Sequence, residues 1–151
     1  MKMILSPSLL LLAAAAALVA FGVARAADEK TAPQAKHRVL FEVTTEGAEQ
    51  WTATLNNVEN LRKAFGADTT QVEVVGHSKG LGMMLAKNAT LADRMKKLAD
   101  AGVVFAACEN SMRKKNVTRA DLLPFVTTVD SGVAEVVRKQ EAGWSYIKSG
   151  I

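Results

Sequence analysis

A single cysteine, Cys108, stands among the 151 residues and follows the short apolar run Val103-Val104-Phe105-Ala106-Ala107. Polar residues, Glu109-Asn110-Ser111, take over at once. A thiol at such a junction has two chemistries open to it. At the start of a helical turn, backbone N–H groups favour the thiolate, the nucleophilic form of sulfur. Arg113, Lys114 and Lys115 would add positive potential, and the Glu109 carboxylate would oppose it. The other reading is a small buried hydrophobe, the usual environment of a free cysteine. His77, in Gly76-His77-Ser78-Lys79-Gly80, is the candidate base for that thiol, or else a loop histidine that caps a turn. The same loop resembles a phosphate cradle but lacks the full Walker and GxGxxG patterns, and Ser78 has no G-x-S-x-G elbow around it. His37 falls at the far end of a strand from His77. With no HxH, CxxC or HExxH spacing, the expectation is no metal and no cofactor.

These residues are placed by strands alternating with helical segments. Arg38–Thr44, Gln71–Val75, Val103–Ala107 and Phe125–Val129 are rich in β-branched and apolar residues and read as strands. Trp51, Leu55, Val58, Leu61 and Phe65 recur at helical spacing, and Gly66 supplies a stop. Thr90-Leu91-Ala92-Asp93 and Thr118-Arg119-Ala120-Asp121 have the form of capping boxes. Leu91, Met95 and Leu98 face inward from the first of these. A last helix is expected after Ser131-Gly132, with Val133, Val136, Val137, Trp144 and Ile147 on its inner side. The alternation predicts an α/β three-layer sandwich with a mainly parallel four- or five-stranded sheet. Ligands of such sheets bind beyond the strands' carboxyl ends. The candidate site is therefore Cys108 and His77 as reacting groups, with Glu109, Asn110, Ser111, Ser78, Lys79 and Thr45 contacting a substrate or anion.

Residues 1–26 read as a signal peptide: a basic start, an apolar stretch from Leu9 to Val23, and Ala24-Arg25-Ala26 before the cut. An uncleaved anchor is the alternative, although the stretch is short for a bilayer span. Residues 27–36 are a polar lead-in and 37–151 the folded domain, so the expected location is periplasmic, with no membrane contact after cleavage. Lys2 and Arg25 account for two of nineteen basic residues against fifteen acidic ones, leaving a net +2 after residue 26. That balance, without a basic block or RNA-binding aromatic motif, argues against nucleic acid as a partner. One cysteine also excludes an intramolecular disulfide framework.

Three strings carry a family resemblance. They are Val72-Glu73-Val74-Val75-Gly76-His77 with Gly80-Leu81, Phe105-Ala106-Ala107-Cys108-Glu109-Asn110-Ser111-Met112-Arg113, and Val126-Thr127-Thr128-Val129-Asp130-Ser131-Gly132-Val133-Ala134-Glu135. Over residues 37–150 the chain resembles the DsrE/DsrF-like family, which includes the YchN-like proteins and sulfur-relay subunits. The resemblance implies a three-layer α/β fold and a homo-oligomer, often a trimer or hexamer. In sulfur-relay members a cysteine after a central strand carries a persulfide, and Cys108 falls at that place. Many relatives continue the loop histidine with Gly-Pro-Gly, where this chain has Ser78-Lys79-Gly80. Two functions follow as expectations. One is a periplasmic sulfur-handling protein that exchanges sulfur through Cys108 with a donor or acceptor protein or a small sulfur species. The alternative is a non-catalytic oligomeric module that binds a small ligand or protein and keeps Cys108 as a structural residue.

Overall fold

The computed structural model describes residues 36–149, so the expected leader and most of the lead-in lie outside the described residues. Five strands form one parallel sheet in the order β4-β3-β2-β1-β5. They are β1 (His37–Val43), β2 (Thr70–Gly76), β3 (Val104–Cys108), β4 (Thr127–Val129) and β5 (Ser145–Ser149). The helices are α1 (Ala48–Phe65), α2 (Ala92–Asp100), α3 (Glu109–Lys114) and α4 (Gly132–Glu141), with short 3₁₀ turns between them.

The strand order dictates the layers. From β1 to β4 each strand is added on the same side of its predecessor, and β5 returns to the opposite edge. Right-handed crossovers then put the first three connections on one face and the last connection, α4, on the other. The register agrees. Phe41, Val74 and Phe105 lie side by side across three strands, as do Leu40 and Glu73 one residue earlier. Val39, Phe41, Val43, Val72, Val74, Phe105 and Ala107 join α1 and α2 in the large core, with Trp51, Leu55, Val58, Met95 and Leu98 fully or nearly buried. The opposite face is thinner: Leu40, Val75 and Ala106, with Val129, Val136 and Trp144 against them.

Four sequence expectations change in structure. The last helix ends at Glu141, and Gly143, at φ 79°, turns the chain into β5. Trp144 precedes that strand and Ile147 belongs to it. Val133 and Val137 are exposed, Val133 by 60%, because α4 turns Glu135 inward instead. Glu135 reaches Lys139, whose ammonium pairs at 2.6 Å with the buried Glu73. Phe65 is half exposed and stacks on His37 at the edge of the core, 4.2 Å between ring centroids. The Thr90 box does not form, since a 3₁₀ turn over Ala86–Leu91 runs directly into α2 without a side-chain cap. The Thr118–Asp121 box does form, with both reciprocal hydrogen bonds in place. Among the described residues, no helix is long and apolar enough to cross a membrane.

Candidate functional site

Cys108 ends β3 and serves as the N-cap of α3, in extended conformation at φ −75°, ψ 115°. The neighbouring strand β4 feeds α4. The connections leaving these two adjacent strands go to opposite faces of the sheet, the topology at which open α/β sheets ordinarily bind ligands. The sulfur sits at that divide. The Ser111 hydroxyl and the backbone N–H groups of Gly132, Ser111 and Asn110 lie about it and favour its thiolate form. Burial pushes the thiol pKa up, and these four donors outweigh it, so the net position is below the ordinary thiol value of 9.0. The residue is only 4% exposed. Hydrogen bonds, rather than the charges of Arg113, Lys114 and Lys115, are what lower it.

The cradle is pinned from both sides. The Asn110 N–H also donates to the Asp130 carbonyl at 3.3 Å, tying the start of α3 to the end of β4. Ser131 caps α4 by accepting from the Ala134 N–H, and Arg138 grips the Asp130 carboxylate with contacts of 2.6 and 2.8 Å. Gly132, the first residue of α4, is glycine for reasons of space. A Cβ there would stand 2.9 Å from Cβ and Cδ2 of His77.

His77 itself holds other groups. Its Nε2 lies 2.7 Å from Glu42 Oε1 and its Nδ1 lies 3.1 Å from Ser78 Oγ. The carboxylate acceptor fixes a proton on Nε2, so in the neutral ring Nδ1 accepts from the Ser78 hydroxyl. Tyr146 donates its phenol to Glu42 Oε2 at 2.5 Å. Burial raises the Glu42 pKa, and the hydrogen bonds from Tyr146 and His77 with their attendant charges bring it below the usual value. Burial and the same carboxylate push the Tyr146 phenol up to about 12. Ser78, in a left-handed conformation at φ 53°, donates its backbone N–H to Ser111 Oγ at 2.9 Å.

The fold thus brings Cys108, Asn110, Ser111, Ser78 and His77 into one continuous hydrogen-bonded cluster. The other candidates are engaged as follows. Lys79 is exposed and pairs with Glu46 at 2.9 Å, Glu109 faces Arg113, and the Thr45 carbonyl accepts from the Trp51 indole. Lys79 lines a separate cleft of about 290 Å³ with Lys87, Lys115 and Trp51. The sequence reading did not place Glu42, Tyr146 or Gly132 in the site. An ionisable residue inside an otherwise apolar parallel strand is the signal that would have found Glu42. Among the described residues, no group of three or more His, Cys, Asp or Glu side chains is arranged to hold a metal ion.

A family model described as the DsrE/DsrF-like family matches residues 13–149, starting inside the stretch read as a leader. A solved protein of unknown function from Methanobacterium thermoautotrophicum superposes with a TM-score of 0.70 at 31% identity, covering 74% of this chain and 98% of that one. The ychN protein from E. coli superposes with a TM-score of 0.56 at 11% identity, covering 74% of this chain and 97% of that one, a likeness of fold alone. No protein of curated function matches the chain.

Proposed function

We propose, from the premise that the chain belongs to the DsrE/DsrF-like family, that it handles sulfane sulfur through Cys108. The observation that carries this reading is the placement of Cys108 at the carboxyl end of β3 as the N-cap of α3, where the Ser111 hydroxyl and the N–H groups of Gly132, Ser111 and Asn110 favour its thiolate. A buried apolar cysteine has no use for such a set, whereas a thiolate and the terminal sulfur of a persulfide both need anion-stabilising donors. The step is an exchange. The Cys108 thiolate attacks the outer sulfur of a donor persulfide, the donor's S–S bond breaks, and the donor leaves as a thiolate. Cys108 then carries the new S–S bond, and its terminal sulfur becomes negative as its proton passes to solvent or to the departing thiolate, with no net oxidation or reduction. Transfer to an acceptor thiolate repeats the same displacement in the other direction.

The leader pattern in residues 1–26 supports a periplasmic site of action, the exposed Val104, Val133, Val137 and Tyr146 on the thinly covered face support a homo-oligomer, and the family resemblance supports a trimer or hexamer. Incubating the purified, reduced protein with glutathione persulfide and measuring its intact mass tests the function. One added sulfur on the wild type and none on Cys108→Ser is the expected result; reduced wild type that gains no sulfur refutes it. The 4% exposure of Cys108 favours a second reading, a binding module in which the thiol is structural. Under that reading, alkylation of Cys108 in the native protein proceeds only as fast as unfolding, and Cys108→Ala costs stability alone.

A further inference from the structure

We propose that Glu42, Tyr146 and His77 form a positioning array that sets the donors around the Cys108 sulfur, so that the nucleophile is tuned from β1 and β5, two strands that do not touch it. This rests on the reading of Cys108 as the sulfur carrier and assigns it three positioning residues. None of the three is a catalytic residue, since the ring nitrogens of His77 are occupied by Glu42 and Ser78.

The geometry runs along two arms from one imidazole. In the first arm, the ring lies directly against Gly132, within 3.0 Å of where a Cβ would stand, so its position sets how closely the first residue of α4 approaches the sulfur. The Gly132 N–H is among the groups that favour the Cys108 thiolate. In the second arm, the ring accepts from the Ser78 hydroxyl, which holds Ser78 in the left-handed conformation that aims its N–H at Ser111 Oγ. A hydroxyl has one proton and two lone pairs. With a lone pair already engaged by Ser78, the Ser111 proton remains available to the neighbouring sulfur.

His77 is only 9% exposed, and Glu42 fixes its ring at 2.7 Å. Glu42 is itself oriented by the Tyr146 phenol on its second oxygen. Its backbone is paired in register on both sides, with Val75 of β2 and Lys148 of β5, so the carboxylate is anchored to a rigid element. The array therefore transmits the placement of the sheet's far edge to the amide and hydroxyl that face the thiol.

The test measures native-state alkylation of Cys108 and its rate of sulfur uptake from glutathione persulfide, each against pH, in the full chain. Wild type, Glu42→Gln, Tyr146→Phe, His77→Gln and His77→Ala are compared. Loss of the array moves both profiles of Glu42→Gln to higher pH by about one unit, roughly a tenfold loss of uptake near neutral pH that is regained at alkaline pH. Tyr146→Phe, which removes a single oxygen and retains the packing, moves in the same direction by less. His77→Gln, whose amide can serve both neighbours, lies nearer to wild type than His77→Ala. Profiles that stay in place in both Glu42→Gln and Tyr146→Phe overturn the proposal, as does a lowered plateau with an unmoved midpoint. Should Glu42→Gln fail to fold, Tyr146→Phe decides alone. A wild type that takes up no sulfur refutes the sulfur-carrier function instead, and the alkylation profiles still decide whether the array tunes the thiol.

Discussion

Replacing Gly132 by alanine separates the effect of the sulfur's environment from the effect of overall stability. Alanine is about 1 kcal/mol better than glycine within a helix, and no left-handed φ demands glycine at this position. On local grounds alone the variant would be more stable. The added methyl, however, would stand 2.9 Å from Cβ and Cδ2 and 3.0 Å from Cγ of His77, well inside van der Waals contact. The ring cannot swing away without leaving Glu42 at 2.7 Å and Ser78 at 3.1 Å. The cheaper relaxation is for the start of α4 to retreat from the sheet, which withdraws the Gly132 N–H from the sulfur. A hydrogen bond to a charged group contributes roughly 1.5 to 3 kcal/mol, and about 1.4 kcal/mol corresponds to one pKa unit. The expected outcome is a thiol pKa raised by about one to two units. Alkylation rate against pH in the native state reads it directly, and chemical denaturation reports stability in parallel. A folded Gly132→Ala protein with an unmoved or lower thiol pKa would refute the reasoning about the cradle.

Three further outcomes follow from the described geometry. Lys139→Met removes the partner at 2.6 Å from Glu73, which is 4% exposed and whose other carboxylate oxygen is buried without a hydrogen bond. The expected loss at neutral pH is about 2 kcal/mol, below the penalty for a fully buried pair because Lys139 is partly exposed. Burial already holds the Glu73 pKa above its ordinary 4.5, so its protonated form favours the folded state. The Lys139→Met defect should therefore be smallest below about pH 4.5 and grow as pH rises through the folded-state value, a trend that urea denaturation at several pH values checks. Tyr146 is the chain's single tyrosine, so tyrosinate absorbance reports it alone. Its titration is expected near pH 12 in the wild type and back toward about 10 in Glu42→Gln; because the folded value is raised, its stabilisation is complete below pH 10 and lost as pH climbs toward 12. Gly80→Ala would drive a Cβ to 2.0 Å from the Val43 carbonyl oxygen, a backbone atom unable to step aside, and should cost about 3 kcal/mol in thermal or denaturant unfolding.

Much of the frame was legible in the residues because parallel strands buried on both faces have to be apolar and β-branched. Four strands and the helical stripe of Trp51, Leu55 and Val58 declare themselves that way. Ser145–Ser149 does not, since an edge strand of alternating polarity is short, half exposed and flanked by apolar residues that fit a helical spacing. Only the left-handed Gly143 betrays the change of direction. The position of Cys108 at a strand's carboxyl end was readable from one junction. The cradle around it was not, because its parts come from distant segments. Glu42 meets His77 across 35 residues and Tyr146 across 104, and no local spacing encodes such meetings. The inward Glu135 was hidden for a related reason. A carboxylate on a helix normally faces water, and here Arg138 at 2.8 Å and Lys139 one turn later make the inward position tolerable.

The donors around the sulfur come from Asn110 and Ser111 beside it and from Gly132, twenty-four residues further along the chain. During synthesis, then, the cysteine leaves the ribosome with the acidity of any free thiol, and it acquires its special character only when the segment through Gly132 has emerged and docked beside β3. Until that moment the nucleophile is muted. A chain whose α4 has not docked therefore lacks one of the groups that favour the thiolate of its one sulfur.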